Sequence, residues 1–266
     1  MSGSGVLKFR IIARLDIRNA HLIKTIRLEG VRRVGDPNEY ARRYDAGGID
    51  ELLYLDVVAS LYGRNALADL VSRASESVFV PITVGGGVRS VEDVRALLLA
   101  GADKIAVNTA AIKRPELITE IAEKFGSQAV TVQIDAKRKG DGWEAYCDGG
   151  RQPTGYDAVD WARHVADLGA GEILLTSIDQ EGTLRGFDIA LVEQVCGGVV
   201  SVPVIAAGGF GRPEHAVEAA QAGAVGVAIA GALHYGRVRL NDIKDALASA
   251  GVPVRRERCE PSTIMS

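Results

Sequence analysis

Two aspartates stand at the ends of strand-like segments, and their placement suits acid–base chemistry. Asp16 ends the run Arg-Ile-Ile-Ala-Arg-Leu-Asp, and Asp135 ends the run Val-Thr-Val-Gln-Ile-Asp. Two carboxyl groups that face each other can act as general acid and general base on a substrate between them. A single aspartate at a strand end more often caps the loop or helix that follows. Two of them at equivalent places therefore favour a catalytic pair.

The places are equivalent because the chain nearly repeats itself. Residues 80–110 and 202–232 align without a gap, and each reads as strand, glycine turn, helix and strand. Such a repeat suggests a barrel built from two halves. Backbone N–H groups in glycine turns can bind phosphate, so two matched turns predict a ligand with a phosphate at each end. The predicted phosphate contacts are Gly86, Gly87, Asn108 and Thr109 in one half and Gly208, Gly209, Ala230 and Gly231 in the other.

The elements that must position these residues alternate between strand-like and helix-like patterns, which is typical of a parallel sheet with helical crossovers. Eight such pairs predict a single (β/α)8 TIM barrel domain over residues 1–266, with a core at about 7–255 and a polar, frayed tail at 256–266. The predicted strands are 9–16, 51–57, 82–85, 104–108, 129–135, 172–177, 204–207 and 225–230, and helices are predicted to begin at Asp36-Pro37, Ser90 and Arg212-Pro213.

Two connections are longer than a barrel needs. Residues 17–35 are predicted as a loop that carries Lys24, and residues 137–154 as a hairpin. Both follow a strand, so both lie at the C-terminal face, where barrel active sites form. Asp56 and Asp179 also stand at or just beyond strand ends. For these two aspartates, substrate contact and loop capping are equally open.

The composition argues against several classes of protein. A net charge of −3 gives no reason to expect a nucleic-acid partner, and no apolar run is long enough to span a membrane. No secretory signal opens the chain. The three cysteines, Cys147, Cys196 and Cys259, have no metal or redox spacing, which predicts free thiols in a reducing cytoplasm. We expect neither a metal ion nor a cofactor.

A second charged group belongs to the opposite end of the barrel, because its members stand near strand beginnings. They are Arg10, Glu51, Lys104 and Glu172. In most barrels this end serves stability alone. The pattern fits either a solvated ring of ion pairs or a charged gate over an opening in the barrel floor.

Several stretches are long and specific enough to carry a family resemblance. They are RIIA at 10–13, TVGGG at 83–87, GADK at 101–104, NTAA at 108–111, FGSQAV at 125–130, IDAKR at 134–138 and GAGEILLTSID at 169–179. Over residues 7–255 the chain resembles the cyclase subunit of imidazole glycerol phosphate synthase, HisF. The resemblance implies a heterodimer with a HisH-like glutaminase, which releases ammonia into the N-terminal mouth of the barrel. At the other mouth, ammonia would convert a bis-phosphorylated ribulosyl aminoimidazole carboxamide (PRFAR) to imidazole glycerol phosphate and AICAR in histidine biosynthesis.

The resemblance also implies roles for single residues. Asp16 and Asp135 match the acid–base pair of the family, Lys24 its mobile-loop lysine, and Asp103 its partner-facing surface. The four charged residues at the strand beginnings match its ammonia gate. Further substrate contacts are expected at Asp56, Thr176, Asp179 and Gly182.

The chain departs from the family mostly on the substrate side. Arg14 stands where the family usually has cysteine, and Glu181 where it has aspartate. Ala207 and Gly231 replace serines. Arg14 shares the face of Asp16, so we expect it to add bulk and charge to the conduit.

Three hypotheses follow from this pattern. The intact aspartate pair and phosphate turns favour a histidine-pathway cyclase. Arg14, Ala207, Glu181 and residues 56–65 favour a HisF-like subunit that supplies ammonia to a separate amidotransferase in surface-polysaccharide biosynthesis. A third possibility, the related sugar isomerase, needs no ammonia gate, so the charged residues at the strand beginnings argue against it.

Overall fold

The computed structural model describes residues 7–57, 66–198 and 200–256. In chain order the strands are β1 (Arg10–Arg18), β2 (His21–Ile26), β3 (Glu29–Gly35), β4 (Glu51–Asp56), β5 (Ile82–Gly85), β6 (Lys104–Val107), β7 (Val130–Lys139), β8 (Gly142–Cys147), β9 (Gln152–Asp157), β10 (Glu172–Ser177), β11 (Val204–Ala207) and β12 (Gly226–Ile229). The helices are α1 (Pro37–Ala46), α2 (Ala66–Ser75), α3 (Val91–Leu99), α4 (Thr109–Lys113), α5 (Glu116–Phe125), α6 (Ala158–Asp167), α7 (Ile189–Cys196), α8 (Glu214–Gln221), α9 (Gly231–His234) and α10 (Leu240–Ser249). Most of the 56–65 stretch and the tail from residue 257 lie outside the described residues.

Eight of these strands form a closed parallel barrel within the described part of the chain. Around the ring they run β1, β4, β5, β6, β7, β10, β11 and β12. β10 pairs with β7 in parallel, with Leu175 beside Ile134, and this pairing closes the ring. The predicted (β/α)8 barrel is therefore confirmed. Three strands have the predicted bounds, and the others differ by one or two residues, except β7, which continues into a hairpin.

The prediction of a loop at residues 17–35 was wrong. β1 continues past Asp16 and pairs antiparallel with β2, which pairs with β3. Asn19 and Ala20 make the first turn with φ of 49° and 61°, and Arg27 and Leu28 make the second with 50° and 61°. This type I′ geometry usually takes glycine. Its usual sequence signal is therefore missing from both turns.

The barrel has two apolar layers. A large outer cluster packs the strands against the helices, and its fully buried members include Ile11, Leu15 and Leu52. A smaller cluster fills the interior of the barrel, as expected for strands that are buried on both faces. It consists of Ile12, Leu53, Leu55, Ala106, Leu174, Ile205, Ala207 and Ala228.

Two of the three predicted helix starts have the expected side-chain cap, and the third helix, α8, begins at Glu214 without one. Asp36 accepts hydrogen bonds from the backbone of α1, which begins at Pro37. Ser90 and Asp93 form a complete capping box at the start of α3. Within the described residues, no helix has the length and apolar character needed to traverse a bilayer.

Candidate active site

The two aspartates of the predicted pair lie on opposite strands at the same end of the barrel. Asp16 is on β1 and Asp135 is on β7, four strands apart in either direction around the ring. Asp16 is 1% exposed and Asp135 is 0% exposed. The structure thus brings both carboxyl groups to one mouth, although it gives them different partners.

Asp16 is paired with a cation on its own strand. The Nε of Arg14 donates a hydrogen bond of 2.8 Å to Oδ1 of Asp16. Burial raises the pKa of Asp16, but the charge and hydrogen bond of Arg14, with the charges of Lys24 and His234, act against it, and the net shift is downward. Oδ2 is buried and accepts no hydrogen bond from the described residues. Asp16 is therefore held as a carboxylate with one free oxygen.

Asp135 is held by neutral donors instead. Gln133 Nε2 donates to Oδ1 and Asn108 Nδ2 donates to Oδ2, each at 2.9 Å. Burial raises the pKa of Asp135, and the hydrogen bond from Gln133 and the charge of Arg14 offset only part of that shift. The two carboxyl groups are thus shifted in opposite directions. Such a divergence is how paired carboxyl groups become a base and an acid.

A first cavity of about 310 Å³ lies beside Asp135. The phosphate contacts predicted in the first half all line it. Gly86 has a φ of +106°, and a Cβ there would lie 2.3 Å from the backbone oxygen of Asp56, so the turn requires glycine. Arg18 and Arg151 line the same cavity and supply positive charge. This combination suits a phosphate group.

A second cavity of about 490 Å³ lies between the second glycine turn and the β2–β3 hairpin. The four phosphate contacts predicted in the second half all line it. Gly209 has a φ of +105°, and a Cβ there would lie 1.9 Å from the backbone oxygen of Gly186. The cations that line this cavity are Arg14, Lys24, Arg32 and Arg237.

The lysine at position 24 lies on β2, where the sequence predicted a loop. Its ammonium group forms an ion pair with Glu181, and both side chains are buried at the wall of the second cavity. The family resemblance assigned Lys24 to the substrate, but in this structure the lysine is paired with Glu181 instead.

The remaining predicted substrate contacts differ in their placement. Asp56 lines the first cavity and Gly182 the second. Thr176 is buried and accepts a hydrogen bond of 3.3 Å from Nη1 of Arg14. Asp179 lines neither cavity, and its Oδ2 accepts a hydrogen bond from the backbone of Arg138. Of the two alternatives for Asp179, this geometry supports loop capping and does not support substrate contact.

At the opposite end, the predicted charged residues meet in one closed cluster. Each is the first residue of its strand. Glu51 accepts from Arg10 at 2.9 Å and from Lys104 at 2.9 and 3.0 Å. Glu172 also pairs with both cations. The side chains are between 3% and 25% exposed, so the cluster is largely shielded from solvent rather than a solvated ring.

Asp103, predicted to face a partner, has a structural contact as well. It is exposed at the same end of the barrel, and its Oδ2 accepts a hydrogen bond of 2.8 Å from the backbone N–H of Ile82. This bond ties the beginning of β5 to the turn before β6.

Sequence reasoning missed several site residues. Arg18, Arg151 and Arg237 line the cavities, and Tyr235 lies beside Arg32 with its ring centre 6.0 Å from the guanidinium carbon. These residues stand outside the repeated motifs, and two lie in connections of irregular spacing. The arginines near the two hairpins could have pointed to Arg18 and Arg151, but Tyr235 and Arg237 follow α9 and carry no such signal.

His234, next to the second cavity, should give the fold a measurable pH dependence. Its Nδ1 is 2.6 Å from the Tyr44 hydroxyl, and burial lowers the pKa of His234 from 6.5 to about 4. Between pH 6.5 and about pH 4, His234 is protonated in the unfolded chain but not in the folded chain. The free energy of unfolding therefore falls as pH decreases, by about 1.4 kcal/mol per pH unit. Urea unfolding of the wild type and of His234→Asn at several pH values in this window measures this pH dependence of the free energy of unfolding. The variant should lose less stability, and parallel slopes would refute the assignment.

Comparison with known proteins gives consistent matches over this architecture. A family model described as "Histidine biosynthesis protein" matches residues 10–239. The chain is 50% identical over 257 residues to imidazole glycerol phosphate synthase subunit HisF of Gluconacetobacter diazotrophicus, covering 96% of this chain and 99% of that protein. It is 51% identical over 253 residues to the same subunit of Caulobacter vibrioides, covering 94% and 97%. Over 206 residues it is 61% identical to that of Legionella pneumophila, covering 77% and 97%.

Proposed function

We propose, on the premise that this chain belongs to the family of imidazole glycerol phosphate synthase subunit HisF, a specific distribution of roles over its barrel. The chain is an enzyme of histidine biosynthesis, the cyclase subunit of the synthase. In our proposal it uses ammonia to convert PRFAR to imidazole glycerol phosphate and AICAR. The observation that carries this proposal is the pair of opposed, buried carboxyl groups beside two adjoining cation-lined cavities.

The bis-phosphate substrate would span the two cavities. Arg14 lines both of them, so they meet at the centre of the mouth. Arg18 and Arg151 would bind one phosphate, and Arg32 and Arg237 the other, together with the glycine turns. Asp16 and Asp135 would then flank the middle of the substrate, where bonds form and break.

Ammonia would reach the substrate through the barrel interior. The cluster of Arg10, Glu51, Lys104 and Glu172 covers the floor of the barrel. Above this cluster, the interior is lined with apolar side chains such as Leu53 and Leu174. An apolar conduit keeps ammonia unprotonated and away from bulk water. In this proposal the cluster of Arg10, Glu51, Lys104 and Glu172 opens to admit ammonia.

A glutaminase subunit would dock on the floor of the barrel as a heterodimer. Leu7, Phe79 and Leu99 are 70%, 87% and 78% exposed. Leu7 and Phe79 precede β1 and β5, and Leu99 ends α3 shortly before β6, so all three lie at the strand beginnings. Exposed apolar side chains beside a functional opening are typical of a protein-binding surface.

Phe79→Asp should therefore weaken glutaminase binding by about 30-fold or more, the range of an interface hot spot. Isothermal titration with the partner glutaminase measures the affinity. Phe79 is a cleaner probe than Asp103, whose replacement would also break the hydrogen bond to Ile82. Tyr156→Asp, at the other end of the barrel, serves as the control. Equal affinities for the Phe79 and Tyr156 variants would refute the docking surface.

We further propose the cytoplasm as the compartment of this reaction and a single domain over residues 1–266 as the working unit. Cys147 and Cys196 are free thiols, which supports a reducing environment. The expected absence of nucleic-acid and membrane partners remains part of the same proposal.

The purified chain tests the function directly when it is given PRFAR and ammonium salts. We expect loss of substrate absorbance at a rate that depends on ammonia, without glutamine and without the partner. A folded chain that shows no turnover would overturn the cyclase role.

A second candidate function has one observation in its favour. Arg14 crosses the mouth between the conduit and the cavities, which would suit a subunit that hands ammonia to a separate amidotransferase in surface-polysaccharide biosynthesis. The same assay, repeated with a glutaminase and glutamine in place of ammonium salts, distinguishes the two functions. A chain that activates a glutaminase but leaves PRFAR unchanged would favour ammonia delivery.

A further inference from the structure

Arg14 crosses the mouth of the barrel as a buried cation. Its residue is 2% exposed. Nε donates to Asp16 on the same strand at 2.8 Å, and Nη1 donates to Thr176 on β10 at 3.3 Å. β10 is three strands away around the ring. The guanidinium therefore has a fixed position that is set from two sides of the barrel.

The cavities meet Arg14 before they meet Asp16. Arg14 lines both of them, and Asp135 lines the first. Asp16 lines neither, and its Oδ2 is buried without a hydrogen-bond partner among the described residues. The position of Arg14 thus controls both the charge state of Asp16 and its access to a reacting group.

The charges around the two carboxyl groups are unequal. Asp16 faces Arg14 on its own strand, Lys24 from β2 and His234 from α9. Asp135 faces Arg14 more weakly, and Asp16 and Glu181 add negative charge near it. Its hydrogen-bond donors are the neutral amides described above. The hydrogen bond from Arg14 and the charges of Lys24 and His234 thus distinguish the site of Asp16 from that of Asp135.

We infer that Arg14 is a positioning residue that holds Asp16 ionised through Oδ1, so that Oδ2 accepts a proton and Asp135 supplies one. This inference rests on the proposed function for its chemistry. Asp16 is assigned as the base because the guanidinium group of Arg14 contacts it, and Asp135, which lacks this contact, is assigned as the acid.

The proton movements balance in the addition of ammonia to a carbonyl carbon of the ribulosyl group. The nitrogen lone pair forms the C–N bond, and the carbonyl π electrons move to oxygen. The nitrogen loses one proton to Oδ2 of Asp16, and the oxygen takes one from Asp135. Asp16 ends protonated, Asp135 ends as a carboxylate, and no oxidant or reductant is needed.

The acid limb of the pH–rate profile tests the inference. Turnover is measured across the acidic and neutral range while total ammonium is adjusted so that free ammonia stays constant. Arg14→Met should move the acid limb upward by about one pH unit or more, because a buried carboxyl group without its counter-charge protonates more readily. Arg14→Lys should move it less, in the same direction. Arg18→Met, which removes a cation from the first cavity, should raise KM and leave the limb unmoved.

Titration of the carboxyl groups by ¹³C NMR, with aspartate-labelled protein, separates this inference from the proposed function. Spectra of Asp16→Asn and Asp135→Asn assign the two resonances. We expect Asp16 to titrate below Asp135 in the wild type and to move upward in the Arg14 variants. This result would stand even if PRFAR were not turned over. An unmoved Asp16 titration in Arg14→Lys, or in a folded Arg14→Met, would overturn the inference.

Discussion

Replacing Asp135 by asparagine should lower ammonia-dependent turnover of PRFAR by about 10²- to 10⁴-fold, the usual contribution of a general acid or base. The amide cannot donate the proton that we assign to Asp135, although it fills the same space. The NH₂ group of the introduced asparagine would face the N–H donor of either Gln133 or Asn108, so one of these side-chain amides must rotate. Stability should therefore fall by only about 1–2 kcal/mol. Steady-state kinetics and thermal unfolding measure the two effects.

The exposed Asp141, in the turn between β7 and β8, provides the control. Asp141→Asn changes a carboxylate to an amide on the same hairpin, outside both cavities, and should retain the wild-type rate. Turnover of Asp135→Asn within a few-fold of this control would remove Asp135 from the acid–base pair.

Replacing Glu51 by glutamine should lower stability by about 2–4 kcal/mol, because a buried charge network loses one member. Glu51 is 2% exposed and binds Arg10, Lys104 and the hydroxyl of Thr83. Without its charge, two cations face Glu172 alone. The partial exposure of both cations keeps the expected loss below that of a fully buried pair. Thermal unfolding should show a melting temperature lower by roughly 4–16 °C.

The ion pair of Arg114 and Glu120 is the matched control, since both side chains are about half exposed. Glu120→Gln removes a carboxylate of the same kind, and exposed pairs contribute about 0–1 kcal/mol. If Glu51→Gln unfolded at the temperature of Glu120→Gln, the floor cluster would have no stabilising role.

The barrel and the placement of Asp16 and Asp135 at one mouth were predictable because they depend on local patterns. Apolar runs, glycine turns and helix caps such as Ser90 with Asp93 carry their own signals over a few residues. Strand alternation then places Asp16 and Asp135 at one end without further information. The charged cluster at the floor follows from the same logic, since its members begin their strands.

The parts that escaped prediction depend on contacts between distant segments. Nothing near Asp179 in the sequence reveals that it caps the backbone of Arg138, 41 residues away. The β1–β2 turn formed by Asn19 and Ala20 adopts positive φ without glycine, so tertiary pairing overrides the local preference. Arg151 and Arg237 reach the cavities from unrelated connections. The ion pair of Lys24 with Glu181 depends on contact between the β2–β3 hairpin and the turn that follows β10.

The two halves of the barrel keep one backbone shape but present different chemistry. Asn108 and Ala230 occupy matching places with nearly the same backbone angles, φ and ψ of −129° and −81° against −116° and −92°. The first half offers the amide and hydroxyl groups of Asn108 and Thr109 there. The second half offers only backbone, and the β2–β3 hairpin adds Lys24 and Arg32 to its cavity. A ligand with similar ends could enter a symmetric barrel in two directions. Under the proposed function, the unequal halves would distinguish the two ends of the ligand, so that each bound molecule meets Asp16 and Asp135 in one productive orientation.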